Sequence, residues 1–296
     1  MTELREHERR AGIPLRHPGP RAPERIVSVP TDVSVLRAAL PRGAGVAEAL
    51  WRLTEGAGAA AASVELANGS FGVLRYVHPA IGTEHPAYFS ETVEPAGPCF
   101  VLGGSATVGL RDGAGFAHVH ATWLDRSGNV RGGHLLPGTT VGDLPVEATV
   151  RLLHDVTFVS HTDSETQMPA FTPHPRAEAT NPRAVAARVR PGEDLHAAAA
   201  SIARAAGFGV AAVRASLGSV VGARLWSGSD GVVEVDWPAT EFTKLTGTVR
   251  GDDVVLAGSL VDRHGAVHSG VLVPGENPVA VTFELYVEDA TNGTHA

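Results

Sequence analysis

The sequence predicts an α+β protein with two tandem similar domains, each a mostly antiparallel or mixed β-sheet with a packed helix. Two observations predict this fold class. Each half of the chain contains one helical segment between extended segments, and the second half repeats the order found in the first. A repeat of this length indicates two similar domains rather than a solenoid. A chain of 296 residues, 43% of them hydrophobic, is long enough to form two cores.

We expect five parts along the chain. They are a flexible N-terminal arm at 1–24, a first domain at 25–161, a linker at 162–183, a second domain at 184–290 and a tail at 291–296. The arm and the linker are rich in proline, which favours neither a helix nor a central strand.

In the first domain, Leu36–Gly43 is predicted to form a strand and a turn, and Val46–Glu55 a helix that is followed by glycine. Ala62–Ser70 then resumes extended structure. The next segment of the first copy is longer than its counterpart in the second copy. The extra residues of the first copy include His85–Glu91. We expect His85–Glu91 to form a loop over a site.

The second domain repeats this order. Arg188–Leu195 is predicted to form a strand and a turn, and Leu195–Ala206 a helix with Gly207 at its C-terminal cap. Ala211–Ser219 is then extended. The two copies are therefore expected to share one frame.

The most informative segment is Phe116–Gly138, which is predicted to form a β-hairpin with three histidines. Its counterpart, Asp253–Gly275, keeps the turn and the Pro-Gly end but has no histidine at the three matching positions. The frame persists without the imidazoles, so we interpret them as chemical rather than structural. The matched pairs are His118 with Val255, His120 with Ala257 and His134 with Val271.

The length of the hairpin loop determines whether His134 lies on the same face of the sheet as His118 and His120. His118 and His120 point to one face of a strand, with Cα atoms about 7 Å apart. A three-residue loop, Arg126–Gly128, places His134 opposite His120, whereas a two-residue loop would turn it to the other face. Gly128 suits the left-handed third position of the longer loop. The sequence therefore predicts three converging imidazoles.

Three neutral imidazoles and one open position are the ligand set of a catalytic Zn²⁺ site. We expect a divalent metal ion bound by the three histidines, with Zn²⁺ as the first choice, while Fe, Mn, Co and Ni suit the same ligands. The competing interpretation is a set of polar residues on a solvated hairpin face.

This pattern of His-x-His, a glycine turn and Gly132-Gly133-His134, with Leu102-Gly-Gly upstream, resembles the plants and prokaryotes conserved (PPC) domain. The resemblance covers both halves. It implies an α+β fold, a histidine metal site and a homo-oligomer, and the single-domain prokaryotic members that it resembles are trimers. The same fold is grouped with the α-acetolactate decarboxylases, zinc enzymes whose ligands follow the same pattern. Plant members carry Arg-Gly-Arg-Pro AT-hooks, which this sequence lacks.

A decarboxylase needs a cation for the substrate carboxylate and a group that moves a proton. Arg75 and Arg131 are the candidates for the first role, and Glu91 and Glu147 for the second. Each has a structural alternative; Glu147, for example, recurs as Glu284. We therefore predict a metal-dependent lyase or decarboxylase, with a hydrolase second, that acts on a small carboxylate or oxo-acid.

Composition narrows the partners and the compartment. The net charge of −8 and the single lysine argue against nucleic acid as a partner. No apolar run is long enough to span a bilayer and no signal peptide is visible, so we expect no membrane partner and a cytoplasmic location. The alternative function is a non-enzymatic, DNA-associated or regulatory protein with a structural metal.

Overall fold

The computed structural model of the chain describes residues 10–228 and 231–291. Residues 1–9 of the expected arm and 292–296 of the expected tail lie outside the described residues. The helices are α1 (Val46–Gly56) and α2 (Leu195–Ala205), in agreement with the sequence prediction to within one residue. The Asp194 carboxylate caps α2 by accepting from the amides of His196 and Ala197.

The strands of the first half are β1 (Ile26–Thr31), β2 (Val33–Leu40), β3 (Ala61–Ala67), β4 (Ser70–Phe71), β5 (Tyr76–Val77), β6 (Pro79–Ala80), β7 (Tyr88–Phe89), β8 (Cys99–Arg111), β9 (Ala114–Leu124), β10 (Val130–Leu135), β11 (Val146–Leu153), β12 (Val156–Thr162) and β13 (Pro169–Pro175). Those of the second half are β14 (Ala184–Val189), β15 (Ala211–Val220), β16 (Ala223–Trp226), β17 (Val232–Val235), β18 (Thr240–Arg250), β19 (Asp253–Val261), β20 (Val267–Leu272) and β21 (Val279–Asp289).

The protein is mostly β, and the α+β expectation gave the helices too much weight. Each described helix has 11 residues, whereas β8 alone has 13 and β9, β18 and β21 have 11 each. The repeated hairpins therefore dominate the architecture. Neither helix in the described part of the chain is long and apolar enough to cross a membrane.

Each half forms one large sheet. The first sheet has the order β2-β11-β3-β8-β9-β10-β5, and the second has the order β1-β14-β21-β15-β18-β19-β20-β16-β17. Neighbouring strands along both orders are antiparallel, and β12 joins β8 in parallel. The mixed sheet that the sequence predicts is therefore present.

Two segments cross the expected boundaries. β1 lies within the expected first domain but pairs with β14 in the second sheet, from Ile26 opposite Val189 to Thr31 opposite Ala184. The expected linker contains β13, which forms a hairpin with β12. From residue 10 the arm lies against the second half, where the Gly12 amide donates to the carbonyl of Val221.

The two halves share a core in addition to their own. Phe158 and Phe171 from the first half pack with Ala184, Ala186 and Tyr286 from the second, and all are buried. Apolar burial of this kind holds the two sheets in one relative position. The histidine hairpin lies at this junction.

Candidate metal centre

The hairpin loop has the predicted geometry. The Asp125 amide donates to the Asn129 carbonyl at 2.9 Å, and Gly128 has a φ of 80°. His134 consequently lies directly opposite His120 in the β9–β10 ladder. The register that loop parity predicted is confirmed.

Three imidazole nitrogens converge on one point. The ligand nitrogens of His118, His120 and His134 all lie within 4.8 Å of one another. Nε2 of His120 is 2.9 Å from Nε2 of His118 and 3.3 Å from Nδ1 of His134. The three residues can hold a metal ion.

The second half of the chain holds the outer nitrogens of two of these rings. Glu284 on β21 places Oε2 2.8 Å from Nδ1 of His118, and the Phe242 carbonyl on β18 lies 2.9 Å from Nδ1 of His120. The β18 ladder shifts register between Phe242 and Lys244, so a bulge lies next to this carbonyl. Partners of this kind fix the tautomer and orientation of metal-binding histidines.

These partners determine which nitrogens carry hydrogen. A carbonyl oxygen can only accept, so Nδ1 of His120 must donate, and the Glu284 carboxylate makes the same demand on His118. In the neutral rings, Nε2 of His118 and Nε2 of His120 are then bare lone pairs 2.9 Å apart. Two lone pairs at that distance repel unless a cation lies between them. The donor set therefore fits a metal ion.

Burial favours the neutral, metal-binding form of two ligands. Burial lowers the pKa of His120 well below its ordinary value, and the charge of His118 adds to this effect. Burial also lowers the pKa of His134, with further contributions from His118, His120 and Arg111. Neutral imidazole is the ligand form, so little proton competition is expected at these two rings at neutral pH.

A cavity of about 250 Å³ opens beside the three histidines. Both halves of the chain line it, and its walls are mostly apolar. The aromatic and aliphatic lining includes Phe89, Phe116, Leu136, Met168, Phe171 and Val281. A mostly apolar cavity with a few convergent polar groups is the usual form of a small-molecule site.

The inserted segment of the first copy contributes to the wall. Tyr88 and Phe89 line the cavity, and the Phe89 ring centroid is 5.6 Å from that of His134. These two residues of the segment that was expected to form a loop over a site therefore lie on the cavity wall, where they form the short strand β7. His85 stacks on the Tyr88 ring, outside the lining.

The family model for the Plants and Prokaryotes Conserved (PCC) domain matches the chain twice, at residues 28–153 and 176–291. The chain belongs to the PCC domain family. This finding confirms the resemblance that the histidine hairpin indicated, and it confirms the tandem repeat. The search of curated proteins found no match.

Several solved structures resemble one half of this PCC-domain chain. A metal-containing protein from Archaeoglobus fulgidus is 21% identical over 48% of this chain and 94% of its own, with a TM-score of 0.39. A PPC protein from Pyrococcus horikoshii is 16% identical over 49% and 93%, also with a TM-score of 0.39. A "putative DNA-binding protein" from Ralstonia eutropha JMP134 is 22% identical over 50% and 94%, with a TM-score of 0.37.

The expectation that nucleic acid is not a partner is corrected by these comparisons. The Ralstonia protein and one from Bacteroides thetaiotaomicron are both described as "putative DNA-binding" proteins. The expectation rested on net charge, which averages over the whole surface and does not describe any one face. Charge therefore does not exclude nucleic acid for a PCC-domain chain.

The four catalytic candidates from the sequence are not on the cavity wall. Arg75 pairs with Glu94 at 2.5 Å, and Arg131 lies 3.6 Å from Asp125, both at the surface. The other two are exposed: Glu147 accepts from Asn68 at 2.8 Å, and Glu91 follows β7. Their catalytic roles stay predictions, and the cavity offers different residues for those roles.

The charged residues of the cavity that the sequence did not indicate are Arg111, Glu241 and Glu284. Glu241 and Glu284 belong to the second half, and the absence of histidines in that half gave no reason to expect site residues there. Arg111 ends β8, where it resembles any charged residue before a turn. A signal existed only for Glu284, since it lies nine residues after its Pro-Gly, as Glu147 does.

Proposed function

We propose that this PCC-domain chain is a metal-dependent enzyme that acts on a small carboxylate or oxo-acid, as a lyase or decarboxylase ahead of a hydrolase. The observation that carries the proposal is the convergence of three imidazoles in a cavity lined by one guanidinium, that of Arg111. Zn²⁺ is our first choice of ion because three neutral imidazoles and an open position form its catalytic ligand set.

A divalent ion bound by the histidines would supply a Lewis acid for a substrate oxygen. Arg111 is suited to hold the carboxylate. Its guanidinium carbon lies 3.8 Å from the centre of the Phe116 ring and its Nε donates to Ser160 Oγ at 3.2 Å, so the group is held in place. No carboxylate of the described residues lies within salt-bridge distance of it. Its charge is therefore available to an anion.

Metal analysis tests the centre. We expect the purified wild-type protein to bind close to one equivalent of Zn²⁺, and His120→Ala to lose most of it. His268→Ala is the matched control, since His268 lies in the hairpin of the second copy and pairs with Asp262 at 2.8 Å, outside the cavity. A wild-type protein that takes up no Zn²⁺ or Mn²⁺ would refute the proposal.

Carbon dioxide release from a panel of small 3-oxo acids, including 2-hydroxy-3-oxo acids and 3-carboxy-2-oxo acids, tests the reaction, because the metal-bound carbonyl must accept the electron pair that carbon dioxide leaves behind. We expect release by the metal-loaded protein to stop with a chelator and to return with metal. Arg111→Met should raise KM by at least tenfold, because an Arg–carboxylate contact contributes about 1.5–3 kcal/mol. Equal KM values for wild type and Arg111→Met would remove Arg111 from this role.

The alternative function, that of a DNA-associated protein with a structural metal, predicts different behaviour. In that case duplex DNA is retained at moderate salt with a sequence preference, and the chain turns over no acid. Comparing retention of several duplexes at low and moderate salt separates the two functions. Tight, sequence-dependent retention without acid turnover would favour the alternative.

A further inference from the structure

Glu241 is a buried carboxylic acid that the fold does not use. It lies on β18, is 7% exposed, and lines the cavity beside the histidines. Its Oε2 atom is buried and has no hydrogen-bond partner among the described residues. Burying a carboxyl oxygen without a partner costs free energy, and fully buried acids are normally paired. A structural role does not account for this residue.

The first copy has nothing comparable at this position. Glu241 faces Val261 in the β18–β19 ladder, and the corresponding position in the β8–β9 ladder is Phe100, which faces Leu124. Phe100 is an exposed aromatic residue, whereas Glu241 is a buried acid. The second copy lost its histidines but carries an acid where its sister does not, and that acid faces the sister's metal ligands.

The surroundings of Glu241 suit proton transfer near neutral pH. Burial raises the pKa of Glu241 to about 7, against the opposing charge of His118. A group that is half protonated at the working pH is the most effective general acid or base. The other two charged groups of the same cavity have different roles, since Glu284 holds His118 and Arg111 is assigned to the substrate carboxylate.

We propose that Glu241 is the acid–base residue of this centre, and that it exchanges a proton with the carbon next to the carbonyl of a small 2-oxo acid. The inference rests on the proposed function. In the deprotonation step the Glu241 carboxylate takes the proton and the C–H bond breaks. The electron pair of that bond forms the new C=C bond, and the π pair of the carbonyl moves onto its oxygen. The reverse step returns a proton to the same carbon and restores the carbonyl. The same protonation completes loss of carbon dioxide when the departing carboxylate was attached to that carbon, as in a 3-carboxy-2-oxo acid.

Deuterium exchange measures this step without decarboxylation. Metal-loaded wild-type protein is incubated with 2-oxobutyrate in D₂O, and deuterium at C3 is followed by NMR. We expect Glu241→Gln to lose at least about 100-fold of the exchange rate, in line with the size of general acid–base effects. Glu241→Asp should recover part of it. Glu234→Gln, an exposed carboxyl of the same domain, is the control.

A second readout does not depend on activity. Gln mimics the protonated acid, so Glu241→Gln should bind metal and 2-oxobutyrate as the wild type does. In the metal-free protein the raised pKa means that the wild type loses stability as pH rises from about 4.5 to 7, whereas the variant does not. The stability difference between them should therefore grow between pH 5 and pH 8.

The outcomes separate the two proposals. Exchange by Glu241→Gln within about threefold of wild type overturns the inference and leaves the proposed function standing. So does an absence of exchange in a wild-type protein that binds both metal and acid. A wild-type protein that binds no metal overturns the proposed function. A stability difference that is constant with pH then overturns the assignment of a proton-exchanging Glu241 as well.

Discussion

Glu284 and Glu147 occupy matching positions in the two copies but have different surroundings. Glu284 is buried against His118, whereas Glu147 is exposed and accepts a hydrogen bond from Asn68. We expect Glu284→Gln to weaken metal affinity by about 10- to 100-fold, because it removes the anion that orients the His118 ring. Glu147→Gln should leave the affinity unchanged.

Competition of each variant with a chelating dye measures these affinities. The comparison also addresses the sequence-based interpretation of Glu147 as catalytic. Equal losses for both variants would show that carboxylates on these strands act through general electrostatics rather than through contact with a ligand. A loss for Glu147→Gln alone would contradict the assignment of Glu284.

The histidines could be found from the sequence because their geometry is local. Alternation along a strand and the length of one loop fix the face of His118, His120 and His134. Glu241 and Arg111 reach the same cavity through the packing of two sheets, and neither residue spacing nor composition encodes that packing. Arg75 and Arg131 were selected for charge and closeness in sequence, and both lie outside the cavity.

At the level of elements, the segment predicted as a linker is a fastened part of the fold. Asp163 is buried, with Oδ2 2.9 Å from Nη2 of Arg188 and 2.6 Å from Nη1 of Arg190, both on or beside β14. Arg188 is fully buried and also donates to Thr172 on β13. These contacts position the stretch from Met168 to Phe171, which lines the cavity.

We expect Asp163→Asn to lower the free energy of unfolding by about 3–5 kcal/mol, because it leaves the buried Arg188 charge without its partner. Burial opposes ionisation of Asp163, but the Thr166 amide and the charges of Arg188 and Arg190 outweigh it and hold the pKa well below its usual range. Because folding lowers the pKa of Asp163, its ionised carboxylate stabilises the fold fully at pH values above its pKa in the unfolded chain, which is about 4. This stabilisation is lost as the pH falls below that value.

Urea unfolding of the wild type and of Asp163→Asn at pH 7 and pH 3 checks this expectation. The difference should be large at pH 7 and smaller at pH 3. Asp236→Asn serves as the control, since its pair with Arg263 is half exposed and should contribute at most about 1 kcal/mol. A similar loss for both variants would indicate that burial of the Asp163 pair is unimportant.

Both helices and the two hairpins were predictable from the sequence, because the spacing of their apolar residues and the glycines at their ends or turns lie within short contiguous segments. The placement of β1 was not. Strand β1 continues almost directly into β2, yet the two enter different sheets. Which sheet β1 joins depends on the relative position of the two sheets. That position depends in turn on the shared core around Phe158, Phe171 and Tyr286.

At the scale of the whole molecule, metal binding is expected to stabilise both halves together. The ligands lie on β9 and β10, but the groups that hold them lie on β18 and β21. Free metal at about 100 times its dissociation constant should raise the free energy of unfolding by about 2.7 kcal/mol. Hydrogen exchange should slow in all four strands.

Mass spectrometry of peptides from β18 and β21 before and after Zn²⁺ addition checks this coupling. His120→Ala should abolish the change in both halves. Protection confined to β9 and β10 would mean that the second half does not respond to the ion, and the contacts from Glu284 and Phe242 would then have no energetic weight.

The joining of both copies in one polypeptide has an evolutionary consequence. In an assembly of identical subunits, a mutation that removes a ligand from one copy removes it from all. Two copies encoded in tandem mutate separately, so one could keep His118, His120 and His134 while the other lost the equivalents and acquired an acid such as Glu241. Val255 and Val271, which are 48% and 40% exposed, mark where that older symmetry was abandoned. Under the proposed function, duplication divides the roles between the copies, with the metal ligands in the first and the acid in the second.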